Sequence, residues 1–228
     1  MTGSPSFPFS IRARKTVAQP IGELMAMGVE REDLISLAAG LVDYPTLPSD
    51  EVATIVSQVL SAPGRAGKIP LQYGTTEGNA ALRQTLLEHL AALDGVETAA
   101  YGASAEDVVI SSGSQQLLFL LTDVLVDPGD IVITARPSYF VYTGALAGFG
   151  AQVRTVPVDE GGMDPEALGA LLAELDASKQ LQRVKILYLQ PDHQNPTGLS
   201  LAADRRGRIV EILKRYSYDH RILLIEDA

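Results

Sequence analysis

The sequence predicts an α/β fold: a mostly parallel sheet with helices on both faces, preceded by an N-terminal arm. Three observations predict it. From about Asp107 onward, short apolar runs bounded by turn residues alternate with helix-length segments. The runs Val108–Ile110, Ile131–Ile133 and Ile222–Ile225 are apolar throughout, and Val184–Leu189 is apolar but for Lys185 and the hydroxyl of Tyr188, as strands covered on both faces require. Of the 228 residues, 46% are hydrophobic, enough for one large domain with a smaller appendage. The expected division is an N-terminal arm and small-domain segment over 1–48 and a large domain over 49–228, incomplete at its C-terminal end.

The elements follow in order. Met1 to Pro48 is irregular, with a short helical candidate at Ile21–Met27 and a Gly/Pro-bearing loop around Gly40 and Pro45. Ser49–Ser61 reads as a helix, with Asp50 and Glu51 complementing the dipole of its first turn and Pro63-Gly64 ending it. A second helix runs from Asn79 to Leu93, with Leu82, Leu86, Leu90 and Leu93 expected on a core-facing stripe and Gly95 beyond its end. Then come a strand at Val108–Ile110, an apolar helix from Ser114 to Val126, a turn at Asp127–Asp130 and a strand at Ile131–Ile133. A helix at Tyr139–Phe149, a strand at Val153–Val158 and a helix opened by Asp164 as N-cap and Pro165 at its first position come next. Strand Val184–Leu189, helix Leu201–Tyr216 and strand Ile222–Ile225 complete the pattern.

Composition bounds the function. Lys and Arg total 18 against 28 Asp and Glu, a net charge of −10. Such a chain repels phosphate backbones and anionic membranes, so neither nucleic acid nor a membrane is an expected partner. There is no cysteine, which excludes disulfides and thiolate-bound metals. His89 and His220 have no metal-like neighbours, and His193, Arg205, Arg206 and Arg208 read as structural or solvated. No apolar run approaches the roughly 20 residues of a membrane span, and no signal-length segment opens the chain. A soluble, cytoplasmic protein is expected.

Ligands of parallel sheets bind beyond the carboxyl ends of the strands. The segments predicted there are Ser111–Gln115, Arg136–Tyr139, Pro191–Gly198 and Glu226–Ala228. Ser112-Gly113-Ser114-Gln115-Gln116 follows a predicted strand and opens a helix, where free N–H groups attract a phosphate; alone, it reads more readily as an ordinary serine cap. Asn195-Pro196-Thr197-Gly198 is a defined turn that aims an amide, because Pro restricts one dihedral and Gly permits positive φ; alone, it is equally a plain turn before the helix at Leu201. Asp227 ends an apolar strand, where a carboxylate can pair with a protonated ring nitrogen; alone, it is a charged residue starting a loop.

In order and spacing, Leu71-Gln72-Tyr73-Gly74-Thr75-Thr76-Glu77-Gly78, Ser112-Gly113-Ser114-Gln115-Gln116, Pro137-Ser138-Tyr139, Gln194-Asn195-Pro196-Thr197-Gly198 and Ile225-Glu226-Asp227 resemble the class I/II aminotransferases. These enzymes share the aspartate aminotransferase fold, and the branch looks similar to the 2-aminoadipate and kynurenine aminotransferases. The resemblance implies pyridoxal 5′-phosphate as cofactor and amino-group exchange between an amino acid and a 2-oxo acid. It makes residues 49–228 the cofactor-binding large domain. It implies that Gly113, Ser114 and Gln115 hold the phosphate, that Tyr139 stacks on the pyridine ring and that Asn195 bonds the ring 3′-oxygen. Asp227 would keep the ring nitrogen protonated, Tyr73 would reach a partner subunit's phosphate in a homodimer, and Gly40 would lie beside the substrate carboxylate.

The chain departs from the family in what it lacks. The lysine that forms a Schiff base with the cofactor is expected well downstream of Asp227, and none of Lys15, Lys68, Lys179, Lys185 and Lys214 fits that place. A tyrosine three residues after Asp227 and a carboxylate-gripping arginine are also missing. A fragment, inactive and unstable alone, is therefore expected, with a gap in its sheet between the strand ending at Asp227 and the segment leading to Gly113. Two other readings stay open: a non-catalytic sensor or binding domain of the same fold, and an inactive remnant. A nicotinamide enzyme is disfavoured, because no Gly-x-Gly-x-x-Gly follows a strand.

Overall fold

The computed structural model describes residues 8–16, 20–31, 33–35 and 42–228. The chain divides into two compact units, residues 1–22 with 113–228 and residues 23–112. These limits differ from the division at residue 48 that the sequence suggested. No described helix is long and apolar enough to cross a membrane.

Helix α1 (Ile11–Lys15) belongs to the first unit, and α2 (Pro20–Glu30) begins in the first unit and continues into the second. The next two helices, α3 (Ser49–Leu60) and α4 (Ala80–Leu93), lie in the second unit. The first unit continues through α5 (Ser114–Leu125), β1 (Ile131–Arg136), α6 (Phe140–Phe149), β2 (Gln152–Asp159), β3 (Gly162–Met163), α7 (Pro165–Ala177), β4 (Val184–Leu189), α8 (Ala203–Tyr216) and β5 (Leu223–Glu226). The sheet order is β3-β2-β1-β4-β5; β3 is antiparallel to β2 and every other pair is parallel. This is the predicted α/β architecture.

Both faces of the sheet are covered at its centre, which explains why β1 and β4 are mostly apolar. On one face Ile131, Ile133, Leu187 and Leu189 pack with Leu168 and Leu172 of α7 and Ile209 of α8. On the other, Val132, Ile186, Tyr188 and Ile225 pack with Leu118 of α5 and with Tyr142 and Leu146 of α6. Each such aliphatic side chain contributes roughly 1.5–3 kcal/mol by leaving water. A bulge interrupts the β1–β4 ladder: Ile131 faces Val184 but Val132 faces Ile186. The extra residue, Lys185, lets Val184 share a face with Leu187 and reaches Asp130 at 3.8 Å.

Local chemistry sets the helix ends. Asp164 accepts from the Glu166 N–H at 2.9 Å, with Pro165 in the first turn, as the sequence predicted. Arg205 is not the solvated residue expected. Its guanidinium grips both Asp159 oxygens at 2.7 and 2.9 Å and donates to the Gly162 carbonyl at 3.0 Å, tying α8 to the β2–β3 hairpin. Arg206 pairs with Asp192 and Arg208 with Glu166 in more exposed positions.

Within the second unit, Asn79 caps α4 by accepting from the Leu82 N–H at 3.0 Å. The leucine stripe expected to face the core does not: Leu82, Leu86, Leu90 and Leu93 are exposed, and Leu87 and Ala91 are buried instead. One residue turns a helix by about 100°, so a neighbouring stripe was available to the core. Val108–Ile110 is not a strand either. Val108 is extended, and the Ile110 N–H donates to the Glu77 carbonyl at 2.9 Å, but no ladder partner lies beside this segment among the described residues. Extended backbone becomes a strand only when a neighbour supplies the ladder.

Candidate functional site

Four segments meet the carboxyl rim of the parallel sheet. Three follow strands directly: Arg136–Tyr139 after β1, Gln190–Gly198 after β4, and Asp227 after β5. The fourth is the start of α5. Its C-terminal end joins the start of β1 through residues 126–130, so helix and strand run in opposite directions. Twelve helical residues and six strand residues each span about 18–20 Å, which brings Gly113 and Ser114 to the level where β1 ends.

Asp227 is anchored by β4 twice. Its N–H donates to the Leu189 carbonyl at 2.9 Å, and its Oδ2 accepts from the Tyr188 hydroxyl at 2.6 Å. The Gln190 Nε2 approaches the same oxygen at 3.4 Å. The other end of that side chain, Gln190 Oε1, accepts from the Asn195 N–H at 3.1 Å. One glutamine therefore links the carboxylate to the turn that presents Asn195, whose side chain is exposed at the rim.

The Asn195 turn is built around Gln194, which is only 6% exposed. Its carbonyl accepts from the Gly198 N–H at 2.6 Å, and its Oε1 accepts from both the Thr197 N–H and the Thr197 hydroxyl. Its Nε2 donates to the Pro137 carbonyl at 2.8 Å, joining this turn to the segment after β1. Gly198 sits at φ 71, where a side chain would be strained.

Tyr139 lies just beyond Pro137, half-buried at the start of α6, with its ring centroid 6.0 Å from that of Phe140. Burial, and then the charge of Asp227, push its phenol above the ordinary value of 10.0. Burial and the bond to Asp227 push the Tyr188 hydroxyl up further. Both rings therefore stay neutral at physiological pH and surround one carboxylate.

At the α5 end, Gly113 has φ 79 and ψ 166, a region open essentially to glycine alone. Ser114 is exposed, and the Gln115 Oε1 is buried without a hydrogen-bond partner among the described residues. Buried acceptors are rarely left so, and a ligand N–H or O–H would satisfy it. A helix start for an anion, an aromatic face, an amide and a carboxylate together fit a flat phosphorylated ring with a protonated nitrogen. Among the described residues, no three His, Asp or Glu side chains are grouped to hold a metal ion.

The structure thus links Asp227 to the Asn195 turn through Gln190 and that turn to Pro137, two residues before Tyr139, through Gln194, and the lengths of α5 and β1 put Gly113, Ser114 and Gln115 at the level of the same rim. Tyr73 lies in the second unit with its side chain 99% exposed. Gly40 lies outside the described residues. Tyr188, Gln190 and Gln194 were given no role from the sequence. The signal available was polarity: a tyrosine and two glutamines in or beside a buried strand need partners.

Residues 32–227 match the family model for Aminotransferase class I and II. The chain is 34% identical over 219 residues to aromatic-amino-acid aminotransferase 1 of Thermococcus litoralis, covering 96% of this chain and 49% of that protein. It is similar in structure to Pyrococcus horikoshii kynurenine aminotransferase in complex with PMP, at a TM-score of 0.82 and 34% identity over 96% of this chain and 50% of that one. Thermus thermophilus alpha-aminoadipate aminotransferase, complexed with N-(5′-phosphopyridoxyl)-L-leucine, is similar at a TM-score of 0.75 and 31% identity, over 96% and 49% of the two chains. This chain spans about half the length of these relatives. With the family model matched over most of its residues, the chain belongs to the class I and II aminotransferases.

Proposed function

We propose that the protein is a pyridoxal-phosphate-dependent aminotransferase that moves an amino group between an amino acid and a 2-oxo acid. The observation that carries this reading is the linkage of the Asp227 carboxylate, the Asn195 turn and the segment bearing Tyr139 through Gln190 and Gln194. When bound, the cofactor supplies an electron-withdrawing ring that stabilises negative charge on the substrate's α-carbon.

This chain's residues would hold and polarise that ring. Asp227 would keep a proton on the ring nitrogen, and Asn195 would donate to the ring 3′-oxygen. Tyr139, neutral because burial and Asp227 push its phenol up, would lie against the ring. The amides of Gly113, Ser114 and Gln115, with the Ser114 hydroxyl, would grip the phosphate at the helix start. In a cytoplasmic homodimer, Tyr73 would contact the phosphate bound by the partner subunit, and Gly40 would border the substrate carboxylate. These roles place the chain on the cofactor-holding side of the chemistry; its five lysines are given no part.

The test is amino transfer with pyridoxal phosphate by the full product of the gene, set beside this chain alone, which is expected to transfer none. Nitrogen from 15N-glutamate should appear in the amino acid made from 2-oxoadipate or phenylpyruvate, read by mass spectrometry. Absence of both cofactor retention on gel filtration and label transfer would sink the proposal. Retention without transfer would favour a binding domain of the same fold.

A further inference from the structure

We propose that Tyr188 is a positioning residue for the ring-nitrogen carboxylate: its hydroxyl holds Oδ2 of Asp227 and turns Oδ1 toward the ring. This rests on the pyridoxal-phosphate reading above. Tyr188 is fully buried on β4, so it touches neither solvent nor an open site. A phenylalanine would fill the same space, and the hydroxyl is the part whose partner is the site's carboxylate. That O–H has one proton and an ionised carboxylate has none, so Tyr188 is the donor in the 2.6 Å contact.

Tyr188 is itself held. Its ring packs on Tyr142, with centroids 4.6 Å apart and planes inclined at 51°. The Tyr142 hydroxyl lies 3.0 Å from Thr122 Oγ1. Thr122 spends its proton on the Leu118 carbonyl at 2.8 Å, so Tyr142 donates to Thr122. Thr122 lies on α5, eight residues beyond Ser114. A buried column, Thr122–Tyr142–Tyr188–Asp227, thus runs from the helix that would grip the phosphate to the carboxylate that would hold the ring nitrogen.

The physical effect is specific to the hydroxyl. A short bond from an O–H to one carboxylate oxygen fixes the orientation of the carboxylate. With Oδ2 held, Oδ1 stays aimed as the acceptor for a ring N–H; a carboxylate stripped of its donor can turn away and leave that proton without an acceptor. With Oδ2 occupied by Tyr188 and Gln190, Oδ1 is the oxygen that would receive the ring N–H.

The experiment binds ring-15N pyridoxamine 5′-phosphate to the purified protein and reads the 15N chemical shift and the dissociation constant, independently of turnover. In the wild type the ring nitrogen should be protonated. In Tyr188→Phe the resonance should move toward the unprotonated position and binding should weaken by about tenfold or more. Tyr142→Phe, which keeps both rings and the Asp227 donor, should retain the protonated signal. Equal loss in both variants overturns the proposal, since packing rather than donation would then be responsible. An unchanged Tyr188→Phe signal overturns it while leaving the cofactor reading intact. A wild type that binds the cofactor with an unprotonated nitrogen also overturns it, and a wild type that binds none overturns both readings. Should Tyr188→Phe not fold, 3-fluorotyrosine at position 188, a stronger donor of nearly the same shape, should tighten binding; unchanged affinity overturns the proposal.

Discussion

The Nε2 of Gln194 donates to the Pro137 carbonyl at 2.8 Å, across 57 residues of sequence. That one bond joins the loop after β4 to the loop after β1 and sets Asn195 on the same rim as Tyr139. Replacing Gln194 with Ala would leave the Pro137 carbonyl without this donor and the Thr197 hydroxyl without its acceptor. A buried polar group left unpaired costs about 1–3 kcal/mol. Urea unfolding should show a loss in that range, with weaker pyridoxamine phosphate binding beside it. A change under about 0.5 kcal/mol, typical of a plain surface site, would show that the bond does not organise the rim.

Gly113 supports a second prediction. At φ 79 and ψ 166 it occupies backbone space that L-residues with a side chain avoid, although nothing lies within 4 Å of where a Cβ would stand. The cost of Gly113→Ala is therefore conformational rather than steric, roughly 1–3 kcal/mol, either as lost stability or as a rotated helix start. Thermal unfolding and phosphate-dependent cofactor binding should both suffer. Wild-type values for both would show that this backbone shape has no role.

Arg205 gives a pH dependence. Its guanidinium, and then the Gly161 N–H, hold the Asp159 carboxyl below its ordinary value of 3.8. A carboxyl depressed in the folded state contributes stability that is present above the unfolded value and is lost as pH falls through the folded one. The stability gap between wild type and Arg205→Ala should therefore be full at pH 7 and shrink below about pH 3.8. It should not vanish there, because the guanidinium's bond to the Gly162 carbonyl does not titrate. Urea midpoints of both proteins at pH 7 and pH 3 measure this, and a gap that widens on acidification would contradict it.

Arg12 docks α1 on the body of its unit. It pairs with Asp123 at 2.7 Å and sits 4.2 Å from the centroid of Phe149. A cation over an aromatic face contributes about 0.5–1 kcal/mol when partly exposed. Arg12→Ala should raise the rate of tryptic cleavage at Arg14 and Lys15 by a few-fold, read by mass spectrometry under native conditions. Arg12→Lys, which keeps the charge but not the planar fork, should fall between the two.

Much of this fold was legible because its physics is local. Asp164 and Pro165 announce a helix start from their own chemistry, and that helix begins where they place it. Val184–Leu189 is apolar on both sides of its pleat, as a strand between two helical layers must be. The candidate residues were legible for a related reason. The Asn195 turn and Asp227 each follow a strand, and parallel strands deliver such positions to one edge, while the Ser112–Gln116 segment opens a helix.

What failed depended on partners distant in sequence. Val108–Ile110 has strand composition, but a strand exists only where a ladder forms, and composition does not name the neighbour. Leu82, Leu86, Leu90 and Leu93 form a helical stripe as good as that of Leu87 and Ala91, and only packing chose between them. Arg205 in sequence is one cation among three near a helix start, and only the hairpin brought to it makes it a clamp.

By itself, the sequence determined the alternation of strands and helices, the helix caps and the set of turns that reach the sheet's carboxyl rim, because these depend on residues within a few positions of each other. Only the tertiary structure decided that Tyr188 serves Asp227, that Gln190 ties Asp227 to Asn195 and that Gln194 ties that turn to Pro137. The Tyr188–Asp227 and Gln194–Pro137 bonds join side chains or loops more than 35 residues apart. Which buried polar group finds which partner is settled by the register of strands and loops in space, and that register is a property of the packed sheet.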